Sequence, residues 1–482
     1  MGRGLFVTVL GVLFILSVDL GTAHTSPMED PSLGGAVFTG PTHGHASSFF
    51  VNPAALGLTG RGWHFHIGGS ARLSSLTLKR TTIGSDNSLQ PGPTVDDSTI
   101  SPGGILAYYA SFDEGKYRFG VSLYTPTWQR FAEDEPGLGY HSSGGQIIQT
   151  MLTLAGSWRF TSRLIGGLGF SVGFSSLQLK FSRDSVLDGG SDSISGTGSD
   201  CGGTVCGYEN ALAREEYDIQ VGNRAALGDL AGLKNFSASV GFVYRIGHDS
   251  WLGMGYVALP GAFETLTLSG DASITLAPRD GGGTVSTNAE IGFGMAQMAF
   301  VGYRRPTFGA YDMVFDLRWQ DWSRHNQFDI RLFGADNNPN TPEWIPRHRG
   351  LRDVWRVSAG IESDDKEAYR FGARLRLESA AISNEKHSPT LVGGPNLTLA
   401  TGAELRLSNH WAFSMGYEIS LFPSTNVQNS AFDPREQVAC VDSAFEFDSC
   451  EAARNGLSFA TAAGEYSFIQ HGLVMSFRYD SL

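Results

Sequence analysis

The chain has 482 residues, of which 17% are charged and 11% aromatic; 62 are glycine and the formal net charge is −13. Ordinary globular domains carry roughly 25% charged residues and about 7% glycine, so the composition does not suit a typical soluble enzyme, and the acidic balance excludes the basic face that nucleic acid requires. Past the leader no run of about 18 apolar residues occurs, which argues against membrane-spanning helices.

The first residues, MGRGLFVTVLGVLFILSVDLGTAHT, read as a secretory signal peptide over 1–23. Arg3 supplies the positive end, Leu5 to Val18 the apolar stretch, and Gly21-Thr22-Ala23 the small residues of a cleavage site. Residues 24–54 form a segment rich in Gly, Pro and Ser with few apolar anchors, among them Phe38, Phe49 and Phe50. It ends on Asn52-Pro53-Ala54, and alternating sequence begins only afterwards.

From there to the C-terminus the chain is built of period-two segments. YRFGVSLY sets Tyr117, Phe119, Val121 and Leu123 against Arg118, Gly120 and Ser122, and YRFGARLRLE sets Tyr369, Phe371, Ala373 and Leu375 against Arg370, Gly372, Arg374 and Arg376. Successive side chains of a strand point to opposite faces, so each segment has one greasy and one wet side. Fourteen such strands are expected: 62–79, 103–112, 117–130, 146–161, 163–181, 235–247, 250–270, 286–304, 310–333, 352–363, 368–380, 396–408, 411–422 and 464–479. They are long enough to cross a bilayer at a tilt. Tight connections alternate with long ones near 80–102, 131–145, 182–234, 334–350, 381–395 and 423–463, the rhythm of periplasmic turns and external loops. The expected fold is all-β: a transmembrane antiparallel barrel over 55–482, with short helices in the outer loops, one or two of them within Glu209–Leu233 and another around Cys450.

Four cysteines stand in two local pairs, Cys201/Cys206 and Cys440/Cys450. An exported chain meets an oxidising compartment, so two loop-closing disulfides are the favoured reading; a zinc site would require all four to converge. His64 and His66 share one strand face and read as lumen or interfacial residues rather than metal ligands. Neither a Gly-x-Ser-x-Gly elbow nor a His-Glu-x-x-His motif occurs, so no catalytic residue, metal or cofactor is expected. The polar faces place Arg118, Arg245, Arg318, Arg356, Arg370, Arg374, Arg376 and Arg406 in the lumen beside Asp312, Asp316, Glu362, Glu378, Glu404 and Glu418. Two readings stay open: a salt-bridged lumen that stiffens the barrel, or arginines that hold a ligand carboxylate bidentately, with Arg370, Arg374 and Arg376 the densest row.

The chain resembles the FadL/TodX outer-membrane transporters of long-chain fatty acids and other hydrophobic compounds. The resemblance is carried by Asn52-Pro53-Ala54, YRFGVSLYTPTWQRF, STNAEIGFGMA, DLRWQDWSRHNQF with Trp319, Trp322 and Phe328, VWRVSAGIE, and GPNLTLATGAELRLSNHWAFSMGY, in order along nearly the whole mature chain. It implies a multi-pass monomer of the bacterial outer membrane, folded by the barrel assembly machinery among lipid and lipopolysaccharide. It also implies that 24–54 is a hatch inside the barrel, with Asn52, Pro53 and Ala54 at its exit, that Phe49 and Phe50 meet the ligand, and that cargo leaves sideways at a break in the third strand, for which Pro126 is the candidate. The expected function is passive transport of hydrophobic compounds, foremost long-chain fatty acids. The alternatives are a lipid- or peptide-cleaving barrel enzyme and a surface adhesion or receptor barrel without transport.

Overall fold

In hydrocarbon a backbone N–H or C=O finds no water, so a spanning sheet must close on itself. The computed structural model describes residues 37–481 apart from 84–88, 131–141, 185–213, 224–232, 248, 279–280, 308–310, 327, 334–342, 346–349, 364–367, 429 and 431–461. Its strands begin with β1 (Trp63–Ile83), β2 (Leu89–Phe112), β3 (Tyr117–Arg130), β4 (Gly144–Arg159), β5 (Leu164–Asp184), β6 (Arg214–Gly222) and β7 (Phe236–Ile246). Next come β8 (Ser250–Ala258), β9 (Leu266–Thr275), β10 (Thr284–Phe293), β11 (Met298–Pro306), β12 (Tyr311–Gln320), β13 (Asp329–Phe333) and β14 (Trp344–Ile345). The last are β15 (Val354–Ser363), β16 (Tyr369–Glu378), β17 (Asn396–Arg406), β18 (Trp411–Leu421), β19 (Thr425–Val427) and β20 (Gly464–Asp480).

Fourteen strands close the wall. The order runs β1 to β5 in sequence, then β7, β8, β11, β12, β15, β16, β17, β18 and β20, every neighbour antiparallel. β20 returns to β1 from His64↔Asp480 to Arg80↔Gly464. Short turns join the strands at the end where Trp63 and Asp480 meet, and the long connections lie at the other. Trp63, Phe112, Trp158, Tyr369 and Trp411 face outward near the short-turn end, the interfacial aromatic girdle of a barrel in lipid.

A second tier stands on this wall. The outer half of β5 pairs with β6, β6 with β9, β9 with β10, β10 with β13 and β13 with β14. Between the tiers the chain leaves the ladder at Leu259–Thr265, Gly294–Gln297 and Asp321–Phe328, so three strands expected to be continuous, 250–270, 286–304 and 310–333, are each broken in two. The intervening segments fold inward as a shelf, where Met295 Sδ reaches Gln149 Nε2 of β4 at 3.2 Å.

Across this boundary the two faces of the sheet exchange polarity. On β5 the outward residues Leu164, Leu168, Phe170, Val172 and Phe174 give way to Ser176, Gln178 and Lys180, while the inward Gly167, Gly169, Ser171 and Ser175 give way to the buried Leu177, Leu179 and Phe181. β1 and β20 do the same: outward Ile67 and Phe477 are followed higher up by Lys79 and Glu465, with Leu76, Leu78, Tyr466 and Phe468 buried inside. Below the boundary the outside is lipid and the apolar face must point out; above it the outside is water and the same face must point in. The ten-residue rise from Leu164 to Phe174 spans about 25 Å at the usual strand rise and tilt, the height of a barrel's apolar band.

Two further expectations are corrected. Residues 80–83 and 89–102 are strand rather than external loop: β1 and β2 continue as a paired ribbon from Lys79↔Thr94 to Ile83↔Leu89, because above the lipid β1 keeps β2 as a ladder partner, and β20 as far as Arg80. Within Glu209–Leu233, Arg214–Gly222 is a strand rather than a helix, burying Glu215, Tyr217, Ile219 and Val221 on one face. The open edges of β5 and β9 each supply it with a ladder partner, which outweighs its local helical composition. Other expectations fall outside the described residues: the leader over 1–23, the disulfide expected between Cys201 and Cys206, the one expected between Cys440 and Cys450, and the short helix around Cys450.

The polarity exchange sets opposite tolerances on one sheet. Phe170→Arg should destabilise the barrel in phospholipid vesicles by about 2–4 kcal/mol, while Gln220→Arg on the outer tier should stay within about 0.5 kcal/mol, both read by guanidinium unfolding.

Candidate functional site: the lumen segment and the apolar path above it

Val37–Thr59 lies inside the wall. Its apolar anchors are α1 (Ser48–Val51) and a 3-10 turn over Pro53–Leu58. Asn52-Pro53 joins the two for a local reason. Pro53 opens the turn with its φ already set. The Asn52 Oδ1 accepts from Ala54 N at 3.1 Å, while its Nδ2 donates to Pro41 O at 2.7 Å and to Phe242 O of β7 at 3.2 Å. One side chain thus caps a turn, ties the segment to itself and fastens it to the wall. The wall makes room with glycine: a Cβ on Gly241 would overlap Asn52, and one on Gly253 would overlap Pro41. Ala54 and Ala55 are fully buried against Ile165 and Val243.

The opposite side of the segment is held by charge. Glu362 of β15 is 2% exposed and collects four contacts. Its Oε1 accepts from Phe38 N at 3.0 Å and from Arg374 Nη2 at 2.7 Å and Nε at 3.1 Å, and its Oε2 lies 2.9 Å from His43 Nε2. Arg374 also donates to Thr39 O at 2.5 Å and to Asp316 Oδ2 at 3.3 Å. Arg370 sits over the Phe38 ring at 4.3 Å and 3.7 Å from Glu404, which also accepts from Arg478 at 3.0 Å. Arg376 meets Glu418 at 2.6 Å, and Glu378 is shared by Arg356 at 2.8 Å and Arg318 at 3.8 Å. Arg370, Arg374 and Arg376 therefore already hold carboxylates of the wall, as in the salt-bridged alternative, and two of them also grip the N-terminal segment. Arg118 donates to Thr59 O at 2.6 Å. His64 and His66 face inward: His64 lies 2.6 Å from Asp480 and stacks on Tyr109, and His66 meets His45 edge-on at 4.7 Å.

Phe49 and Phe50 project from α1 onto Tyr109 of β2 and Tyr124 of β3, with ring centroids 6.0 and 5.5 Å apart. They belong to one contiguous buried cluster. It continues through Val257 and Met298 of the wall and Leu259, Met295, Trp322 and Phe328 of the shelf to Ile219, Leu268, Ile274, Phe293 and Ile330 of the outer tier. Pro126 is buried directly beyond Tyr124, where the β3–β4 register slips between Tyr124 and Thr127. The pairing of β2 with β3 ends at Gly104↔Thr125, so above this point β3 leaves β2. Proline lacks the donor that would continue a ladder.

Sequence reasoning placed the inward arginines and acids but missed Glu362 and His43 as the fastening of the segment. They stand 319 positions apart, and no local pattern links them. The shelf also went unread, although the turn-like Leu259-Pro260-Gly261 and Gly294 marked its corners.

A closed transmembrane wall that holds residues 37–59 of the chain within its lumen, with an apolar core above them, defines an outer-membrane-type barrel with an internal N-terminal segment. Residues 33–457 match the family of outer membrane protein transport proteins (OMPP1/FadL/TodX), and the chain belongs to it; it is an outer-membrane protein. Among solved structures the chain is similar to a Pseudomonas aeruginosa FadL homologue, at 13% identity and TM-score 0.68 over 96% of this chain and 100% of that one. It is likewise similar to the P. putida toluene transporter TodX, at 13% and 0.63 over 95% and 99%, and to the Ralstonia pickettii toluene transporter TbuX, at 12% and 0.60 over 95% and 100%. At such identities the likeness shows the fold. No curated protein sequence matches the chain.

Glu362 is the point at which the segment is held most heavily. Glu362→Gln should weaken its seat by about 3 kcal/mol, the lower end for breaking a buried ion pair. Hydrogen exchange over 38–43 should then rise on the order of a hundredfold, while the barrel keeps its heat-modifiable gel migration; unchanged exchange would show that other contacts hold the segment.

Proposed function

We propose that the protein passes hydrophobic small molecules across the outer membrane without an energy source, the segment 24–54 acting as a hatch. The observation that carries this reading is the contiguous apolar cluster running from the outer tier through the shelf to Phe49 and Phe50, in a barrel whose lower lumen is otherwise polar and ion-paired. A hydrophobic molecule gains about 25 cal/mol for each Å² of apolar surface it buries, so it follows such a path where ions and sugars gain nothing. Long-chain fatty acid is the first cargo to test and a monoaromatic hydrocarbon the second, the latter because TodX and TbuX are toluene transporters.

The exit we propose is lateral. At the end of the path Phe50 rests on Tyr124, and the next residues of β3 carry the slip at Pro126 and the parting from β2. Displacing the hatch uncovers Tyr124 and gives cargo a gap into the bilayer. We take the protein to act as a monomer surrounded by lipopolysaccharide in the outer leaflet, and as a channel rather than a hydrolase.

In proteoliposomes the wild type should accelerate entry of oleate or toluene. Deleting Pro126 removes the extra residue and restores the register, and should cut that entry at least tenfold in a barrel that still folds. Deleting 24–52 should open an ion conductance in planar bilayers. If neither cargo enters faster than into protein-free vesicles, the transport reading fails.

A further inference from the structure

The outer tier turns one face to the apolar core and the other to the medium, and the second face is hollow. Ile219, Ala272, Ala289 and Leu332 point inward to the core. Their neighbours along β6, β9, β10 and β13 point outward and line an open groove of about 470 Å³, within the usual size of small-ligand clefts. Strand register fixes the lining. Gln220 of β6 faces Asp271 of β9, Asp271 faces Asn288 of β10, and Asn288 faces Phe333 of β13. These four form one transverse row, roughly 14 Å long at the usual spacing between strands. One step further from the lipid, Asp218, Ser273 and Ser286 form a second row in the same manner. The long row is planar and polar at one end and aromatic at the other: Gln220, Asp271 and Asn288 are exposed, and Phe333 keeps 44% of its surface open. Among the described residues none hydrogen-bonds the side chain of Gln220, Asp271 or Asn288. Asp218, by contrast, is already held: its Oδ1 accepts from Gln178 Nε2 at 2.9 Å and its Oδ2 lies 3.5 Å from Lys180 Nζ.

We propose that this groove binds a neutral hexopyranose chain. A pyranose carries hydroxyls around its edge and an apolar C–H face, and the row offers a counterpart to each. The Asp271 carboxylate accepts from two neighbouring hydroxyls, and the amides of Asn288 and Gln220 both donate and accept. The Phe333 ring covers the C–H face and removes it from water. Other ligand classes fit less well. A hydrophobic molecule finds a polar floor, and an anion meets the Asp271 carboxylate. A metal ion lacks donors, since no group of three or more side chains able to hold one occurs among the described residues. The sheet itself separates the groove from the apolar cluster behind it, so the inference is independent of the transport reading. The same sugar chemistry comes from two sources: a saccharide carried by outer-leaflet lipid, or a polysaccharide in the medium.

The test is calorimetric titration of the full-length protein in lauryldimethylamine oxide, a detergent without a sugar head group. The probes are hexasaccharides of glucose, galactose and mannose, and the polysaccharide released from a bacterial lipopolysaccharide by mild acid. At least one should bind saturably with a Kd of about 1 mM or tighter. Asp271→Ala, which removes a charged acceptor, should weaken that binding about tenfold, and Phe333→Ala about fivefold. Both side chains are exposed, so both variants should keep heat-modifiable gel migration and leave entry of oleate into proteoliposomes unchanged. Binding of a homo-oligosaccharide alone supports the inference and assigns the groove to glycans of the medium. Binding of the lipopolysaccharide fragment alone supports it and assigns the groove to the surrounding leaflet. If no probe binds, the inference is overturned. Binding of equal strength in the wild type and both variants overturns it as well, since the sugar then sits elsewhere. In either case the transport reading is decided by its own assay.

Discussion

The structure depends on the pairing of the last strand with the first. Seventeen consecutive positions of β20, from Gly464 to Asp480, are laddered to β1, and this is what leaves the sheet without an edge in hydrocarbon, where an unpaired amide has no alternative partner. Closure then dictates polarity. With one face of every strand in lipid and the other enclosed, the outward residues must be apolar and the inward ones are free to be charged. Above the lipid the demand lapses, and there the wall does what it does nowhere below: strands break at Leu259, Gly294 and Asp321, a shelf turns inward, and β6, β9, β10 and β13 form a tier of their own.

Enclosed charge is the second organising element. A buried ion pair contributes little to stability by itself, because desolvation offsets attraction, but losing one partner is severe. The lumen is arranged so that acids are shared: Glu404 between Arg370 and Arg478, Glu378 between Arg356 and Arg318, Glu362 between Arg374 and His43. The network acts as a register device. Phe38, Thr39 and His43 fit it in one position only, and the glycines that admit Asn52 and Pro41 on the far wall fix the same position from the other side.

How much of this was legible follows from where each signal resides. The sequence of β5, LIGGLGFSVGFSSLQLK, carries both the strand period and the exchange of faces, and the wall's strands were readable because alternation is local. β6 was misread because Arg214–Gly222 mixes helix-forming residues with a period-two face, and only the waiting edges of β5 and β9 decide between them. The breaks in the middle strands were hidden because apolar residues flank them on both sides, outward below and inward above. Asn52-Pro53-Ala54 was placed through a family likeness, yet its reason is plain chemistry: a cap, a preset φ and a side chain small enough to meet a glycine.

The long ribbon of β1 and β2 has a consequence beyond permeation. From Ser74 upward it rises roughly 25 Å past the apolar band at ordinary strand rise and tilt, with Thr77 bonded to Asp96 and Lys79 paired to Glu465 on its exposed side. Any large particle that approaches from the medium side reaches this hydrophilic outer surface before the apolar core beneath it. The residues it touches there have no part in lining the greasy route within. The outer surface of the ribbon and the apolar core within are thus carried by different residues of the same strands, and substitutions on one need not disturb the other.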